Sequence, residues 1–234
     1  VIATQQIAGN DSGPFLRQPE IVVMHATRST IATKTDAEEL QSTLNWFVNP
    51  EGASSHWVLS ELERVRVVQD SLIAWHSAWL NGRSWSIEMT QPTIDRDFTD
   101  GHYANAALIG QNYVKLGVTP VWLDYWDGED GSGFVDHEDT KQGREAGKTD
   151  IGPKFDRARF ISSLEDGMDE ATVQKIVGKA IEANNNSKWR FKQIADNLPA
   201  LNAHLRNIVN GLIKASGGGG YTDEQAVKAV KDKL

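Results

Sequence analysis

At 234 residues, with 39% hydrophobic content and a formal charge of −8, the chain can bury one substantial core of about 150–200 residues and still have length for an appendage. The acidic balance argues against a nucleic-acid binder, which needs a basic face to neutralise phosphate. No apolar run approaches a membrane span, and no basic start followed by an apolar core reads as a signal peptide. The absence of cysteine excludes disulfide frameworks, thiolate zinc sites and cysteine nucleophiles, so any metal must be held by His and carboxylate.

In chain order, "EIVVMHAT" (20–27) is a β-branched run that reads as a buried strand, its C-terminal end delivering His25 to a loop. "TDAEELQSTLNWFVN" follows, with Thr35 and Glu38 at capping-box spacing and Leu40, Leu44 and Phe47 on one stripe, which predicts a helix. "HWVLS" and "RVRVVQD" flank a charged "ELE" and read as a hairpin. "SWSIEM" (84–89) is a further strand with Trp85 and Ile87 on one face and Glu88 on the other.

The stretch 99–117 reads as a helix capped by Thr99 and ended by Gly117. "TPVWLDYW" (119–126) reads as a strand, "DGEDGSG" (127–133) as a Gly/Asp loop, and "FVDH" (134–137) as a short extended run that again ends in a His. "GREAGKTDIGPKFD" (143–156) reads as an irregular polar loop, and "DRARFISSLE" as a closing helix. Strands interleaved with helices predict an α/β domain over residues 1–166, built on a single mixed β-sheet flanked by helices.

Beyond it the period changes. Positions from Val173 to Leu212 repeat alternately four and three apart, a heptad seam that is polar at Asn184 and Ser187 and interrupted by Pro199. This predicts a C-terminal all-helical appendage over 167–215, then a Gly-rich linker and a short last helix over 216–234. Residues 1–166 carry 14 basic against 25 acidic side chains, a balance of −11, while 167–234 carry 10 against 7, a balance of +3. The two parts are therefore expected to meet different surroundings, the helices serving a homo-oligomer, packing on the first domain, or contact with acidic polymers or a membrane surface.

Two strand-end histidines, a distant Lys-Thr-Asp and an inward Glu are the parts of a zinc hydrolase site. His25, His137 and Asp150 would supply three ligands, but spacing alone does not single them out, because His56, His76, His102 and His204 offer the same donor. His56 reads as a packing residue and His102 as an exposed one.

The ordered set "VVMHAT", "SSHWVLS" with "VVQ", "AWHSA", "SIEM", "VDHED" and "GKTDIGPKFD" resembles the zinc amidases that include phage lysins, bacterial muramoyl-alanine amidases and the peptidoglycan recognition proteins, over about residues 18–162. The resemblance implies a zinc cleft on one face of the sheet and cleavage of the amide between N-acetylmuramic acid and the L-alanine of the stem peptide. It implies Zn2+ on His25, His137 and Asp150, catalytic roles for Glu88 and Lys148, and substrate contacts from Trp75 and His76. Some phage members use a Tyr where this chain has Ser55, which puts more weight on Glu88. Ile151 stands where the family commonly has Pro, leaving that loop's conformation open. The implied partner is bacterial peptidoglycan. The implied setting is a phage endolysin, kept in the host cytoplasm until its release to the wall, with a secreted or cytoplasmic bacterial enzyme as alternative. Two rival readings accompany it: a binding-only recognition module, against which Asp150 speaks, and a cytosolic muropeptide-recycling amidase, against which the appendage speaks.

Overall fold

The computed structural model describes residues 5–165; the heptad seam, the Gly-rich linker and the last helix expected from the sequence lie outside the described residues. The elements in chain order are β1 (Gln5–Gln6), β2 (Asp11–Pro14), β3 (Ile21–Ala26), α1 (Asp36–Phe47), β4 (Trp57–Leu59), β5 (Arg64–Arg66), β6 (Leu72–Ala74), a 3-10 helix (Ala78–Arg83), β7 (Ser84–Met89), α2 (Asp100–Lys115), β8 (Trp122–Leu123), β9 (Gly133–Asp136), a 3-10 turn (His137–Asp139), α3 (Lys141–Glu145) and α4 (Arg157–Glu165).

Among the described residues, seven strands form one mixed sheet in the order β1-β5-β4-β7-β3-β9-β8, and β2 pairs with β6 in a small second sheet. The predicted hairpin is the antiparallel β4–β5 pair, whereas β3 runs parallel to both β7 and β9. The C-terminal ends of these three central strands therefore open on the same edge, where α/β sheets place their ligands.

Alternation along the strands divides the core in two. Val22, Met24 and Ala26 of β3, with Trp85, Ile87 and Met89 of β7 and Phe134 of β9, pack against Ile109 and Tyr113 of α2 and Phe160 of α4. The opposite face carries Ile21, Val23 and Val135 under Leu80 and Trp126, while α1 lays Leu40, Leu44 and Phe47 on Val58 and Val65. The second face is the one that continues into His25 and Glu88. Thr35 caps α1 with both halves of the capping box in place, and α2 ends as expected at Gly117, whose φ of 109° suits glycine.

Three expectations change. The strand expected over 119–126 is paired only at Trp122–Leu123, because this segment is a sheet edge and the chain leaves β9 at Asp124, with one isolated bridge further on between Trp126 and Thr140. The loop expected from residue 143 starts inside α3, whose N-cap Thr140 accepts a hydrogen bond from Gly143 N. His102 is buried, not exposed: it replaces the usual Glu or Gln of a capping box at the head of α2 and reaches Asp36 at the head of α1.

Candidate metal centre

His25 is the penultimate residue of β3 and pairs in register with Glu88, the penultimate residue of β7. Side chains paired in register share a face, so both rise at the open edge. His137 follows β9 directly. Asp150 arrives from the loop after α3, held by its carbonyl, which accepts from Glu138 N at 2.8 Å. The same loop is tied to α3 by Lys148 N donating to Gly143 O at 2.9 Å. Gly143 is required there, since a Cβ would lie 1.7 Å from the His137 carbonyl oxygen.

These placements bring three donors together. Asp150 Oδ2 lies 3.2 Å from His25 Nδ1 and 3.1 Å from His137 Nδ1, and the three candidate ligand atoms fall within 4.8 Å of one another. Both imidazoles are buried and the carboxylate is largely covered. Burial and the neighbouring His137 lower the His25 pKa to about 4. Two imidazoles and a carboxylate are thus aimed at one point, a donor set for a divalent cation.

The other expected residues lie around this point in different ways. Glu88 is half-buried on the same sheet face as His25; burial first, then the Asp150 charge, raises its pKa well above the ordinary value, against the pull of Arg28 and Lys148. Lys148 is exposed on the loop, and its positive charge acts on both His25 and Glu88. His76 joins the cluster directly, its Nδ1 3.1 Å from His25 Nε2. Trp75 is half-exposed and its indole donates to Ser12 Oγ at 2.7 Å, which ties it to β2. Ser55 is fully buried with its hydroxyl on Trp57 O and Ser86 Oγ. His56 packs as expected, bonded to Ser86 Oγ and Leu72 O.

Two residues escaped the sequence reading. Gln142 places Oε1 2.9 Å from His137 Nε2; five residues past the His, it is brought back by the turn into α3. Arg28 bonds Gln91 Oε1 and, at 2.9 Å, the Ile151 carbonyl, so it clamps the ligand loop beside Glu88. Its position three residues after His25 was the available signal. The Asp150–Ile151 peptide within that loop is cis.

A similar solved structure is the crystal structure of a selenomethionine AmpD derivative, at 19% identity and a TM-score of 0.54, covering 70% of this chain and 95% of that one. Others are the Staphylococcus aureus hydrolase AmiA in complex with its ligand, at 16% identity, TM-score 0.49 and coverage of 71% and 84%, and the endolysin amidase LysCS from Clostridium intestinale, at 14%, 0.46, and 70% and 97%. No curated protein matches. The profile of the N-acetylmuramoyl-L-alanine amidase family matches residues 15–153, which spans all three candidate ligands. The chain belongs to the N-acetylmuramoyl-L-alanine amidase family and is a peptidoglycan-hydrolysing enzyme of that family.

Proposed function

We propose that His25, His137 and Asp150 hold a zinc ion, and that Glu88 and Lys148 carry out the proton and charge chemistry of amide cleavage between N-acetylmuramic acid and L-alanine. The single observation that carries the metal reading is the shared Asp150 Oδ2, 3.2 and 3.1 Å from the two Nδ1 atoms. Ligands about 2.1 Å from one tetrahedral zinc stand about 3.4 Å apart, close to the observed separations. Nitrogen and carboxylate donors in a chain without thiols suit that ion. Zinc held there supplies a Lewis acid for the scissile carbonyl and for the attacking water.

The remaining steps belong to the chain's own side chains. Glu88 sits on the cleft face beside His25, and its raised pKa brings it toward the range where a carboxyl both takes a proton from water and returns it to the leaving amine. Lys148 sets a positive charge at the mouth of the same cleft, where negative charge builds on the carbonyl oxygen. Arg28 fixes the Asp150 loop and favours the ionised form of Glu88 against the effect of burial. Trp75 and His76, on the segment that enters the cleft edge, are assigned to the substrate side, with His76 also touching His25.

Intact wall is the proposed substrate, in the manner of a phage endolysin released to the wall from the host cytoplasm. The +3 balance of residues 167–234 on an otherwise acidic chain supports contact with acidic wall polymers. Mass spectrometry of sacculi and of soluble muropeptides digested by the zinc-loaded enzyme tests both points. Free stem peptides beginning with L-alanine are expected, released faster from sacculi. Uncut stems would overturn the activity, and faster turnover of soluble fragments would favour a recycling enzyme.

A further inference from the structure

The donors around His76 leave it a single tautomer. Its Nε2 faces the Ser84 carbonyl oxygen at 3.3 Å and Ser84 Oγ at 3.4 Å. The carbonyl can only accept, and the Ser84 hydroxyl hydrogen is directed to Leu80 O at 3.0 Å, so His76 Nε2 must carry the proton. His76 Nδ1 is then a lone pair, with Ser77 Oγ 3.0 Å away. The other group at Nδ1 is His25 Nε2, at 3.1 Å, which must donate. His25 therefore carries its hydrogen on Nε2 and presents a bare Nδ1 toward Asp150.

The second imidazole is held the same way by a different device. His137 Nε2 faces Gln142 Oε1 at 2.9 Å, an amide oxygen that accepts. His137 Nδ1 is then also a lone pair facing Asp150 Oδ2. Each lone pair stands about 3 Å from the same carboxylate oxygen and is repelled by it, and a cation between them removes the repulsion.

We propose that His76 and Gln142 are positioning residues that lock His25 and His137 as Nε2–H tautomers, so that both ligate metal through Nδ1 and the site is ready before the ion arrives. His76 then acts on the metal through His25, with the Ser84 backbone as the fixed end of the relay. Hydrogen bonds of this kind orient a ligand ring and raise its basicity, and losing one weakens metal binding by about 10–100-fold. The proposal rests on the metal reading above.

The test uses the full chain. Zinc affinity, read by chelator competition, is compared for wild type, His76→Leu, His76→Gln, Gln142→Leu and Gln142→Glu. Both Leu variants are expected to bind about 10–100-fold more weakly. His76→Gln, which keeps an acceptor toward His25 and a donor toward Ser84, and Gln142→Glu, which keeps an acceptor, should stay near wild type. Long-range proton–nitrogen NMR of histidine-labelled, zinc-loaded wild type should show both rings protonated at Nε2 and metal-shifted at Nδ1; this measurement needs no variant to fold. Ligation through Nε2 at either ring, or wild-type affinity in both Leu variants, would overturn the proposal. A wild-type chain that takes up no zinc would instead sink the metal reading itself.

Discussion

Two histidine–aspartate clusters in this molecule have nearly the same pair geometry and opposite consequences. At the metal centre, His25 and His137 stand 3.2 and 3.1 Å from Asp150; between the heads of α1 and α2, His102 stands 3.1 Å from Asp36. In the second cluster every polar atom has a protein partner. His102 Nδ1 accepts from Thr99 N, its Nε2 faces Asp36 Oδ1, and Asp36 Oδ2 accepts from Glu61 N at 2.8 Å. That network staples two helix starts. At the centre, two rings crowd one carboxylate oxygen and their far nitrogens are already engaged, so the near ones converge with no proton left to share. A histidine–carboxylate contact is therefore not by itself a site; the second imidazole and the occupied far nitrogens make it one.

The largest effect that would break this contrast is on activity. Asp150→Ala and His137→Ala should each lower peptidoglycan turnover by on the order of a thousandfold or more, since several kcal/mol of electrophilic stabilisation are lost, while His102→Ala keeps its turnover number at a temperature where it is folded. Equal losses in all three would erase the distinction. Next, Glu88→Gln should lower the turnover number by about 10²–10⁴-fold and Lys148→Ala by about 10²–10³-fold, with zinc content unchanged; a near wild-type rate in either removes its role.

A fourth buried histidine sharpens the comparison through pH. Burial lowers the His56 pKa from 6.5 to about 4, so its stabilising contribution is full above pH 6.5 and falls as the pH drops toward 4, where the unfolded chain takes a proton that the folded one refuses. The loss is about 3 kcal/mol over that window. Urea midpoints at pH 7 and 5 should separate less in His56→Gln than in wild type, and equal separations would contradict the assignment. The smallest effect belongs to the staple: His102→Ala should cost about 1–3 kcal/mol of unfolding free energy, because Asp36 Oδ1 loses its imidazole partner and keeps only the Thr90 hydroxyl. Unchanged denaturant midpoints would show the network to be dispensable.

How much of this was legible in the sequence follows from what each residue depends on. The strands that carry His25 and Glu88 and the capped helices α1 and α2 show in the sequence because burial periodicity and caps are local. The pairs Gln5–Gln6 and Asp11–Pro14 do not, since two polar residues or an Asp-Ser-Gly-Pro turn carry no period and pair only because a partner edge is present. Of the site, His25, His137 and Asp150 came from an ordered set of family motifs, whereas spacing alone left His76 and His102 as rivals. Gln142 was illegible because its position depends on a five-residue helix inside a stretch that reads as loop. His102 misled because burial arose from Asp36, 66 positions earlier.

The 125-position gap between His25 and its carboxylate partner has a consequence for synthesis. A nascent chain on the ribosome already holds the first imidazole and Glu88, yet it stays hydrolytically inert until the last ligand has emerged and docked. For the same reason, a nick that lets residues 25 and 150 drift apart disarms the enzyme without touching any group that reacts.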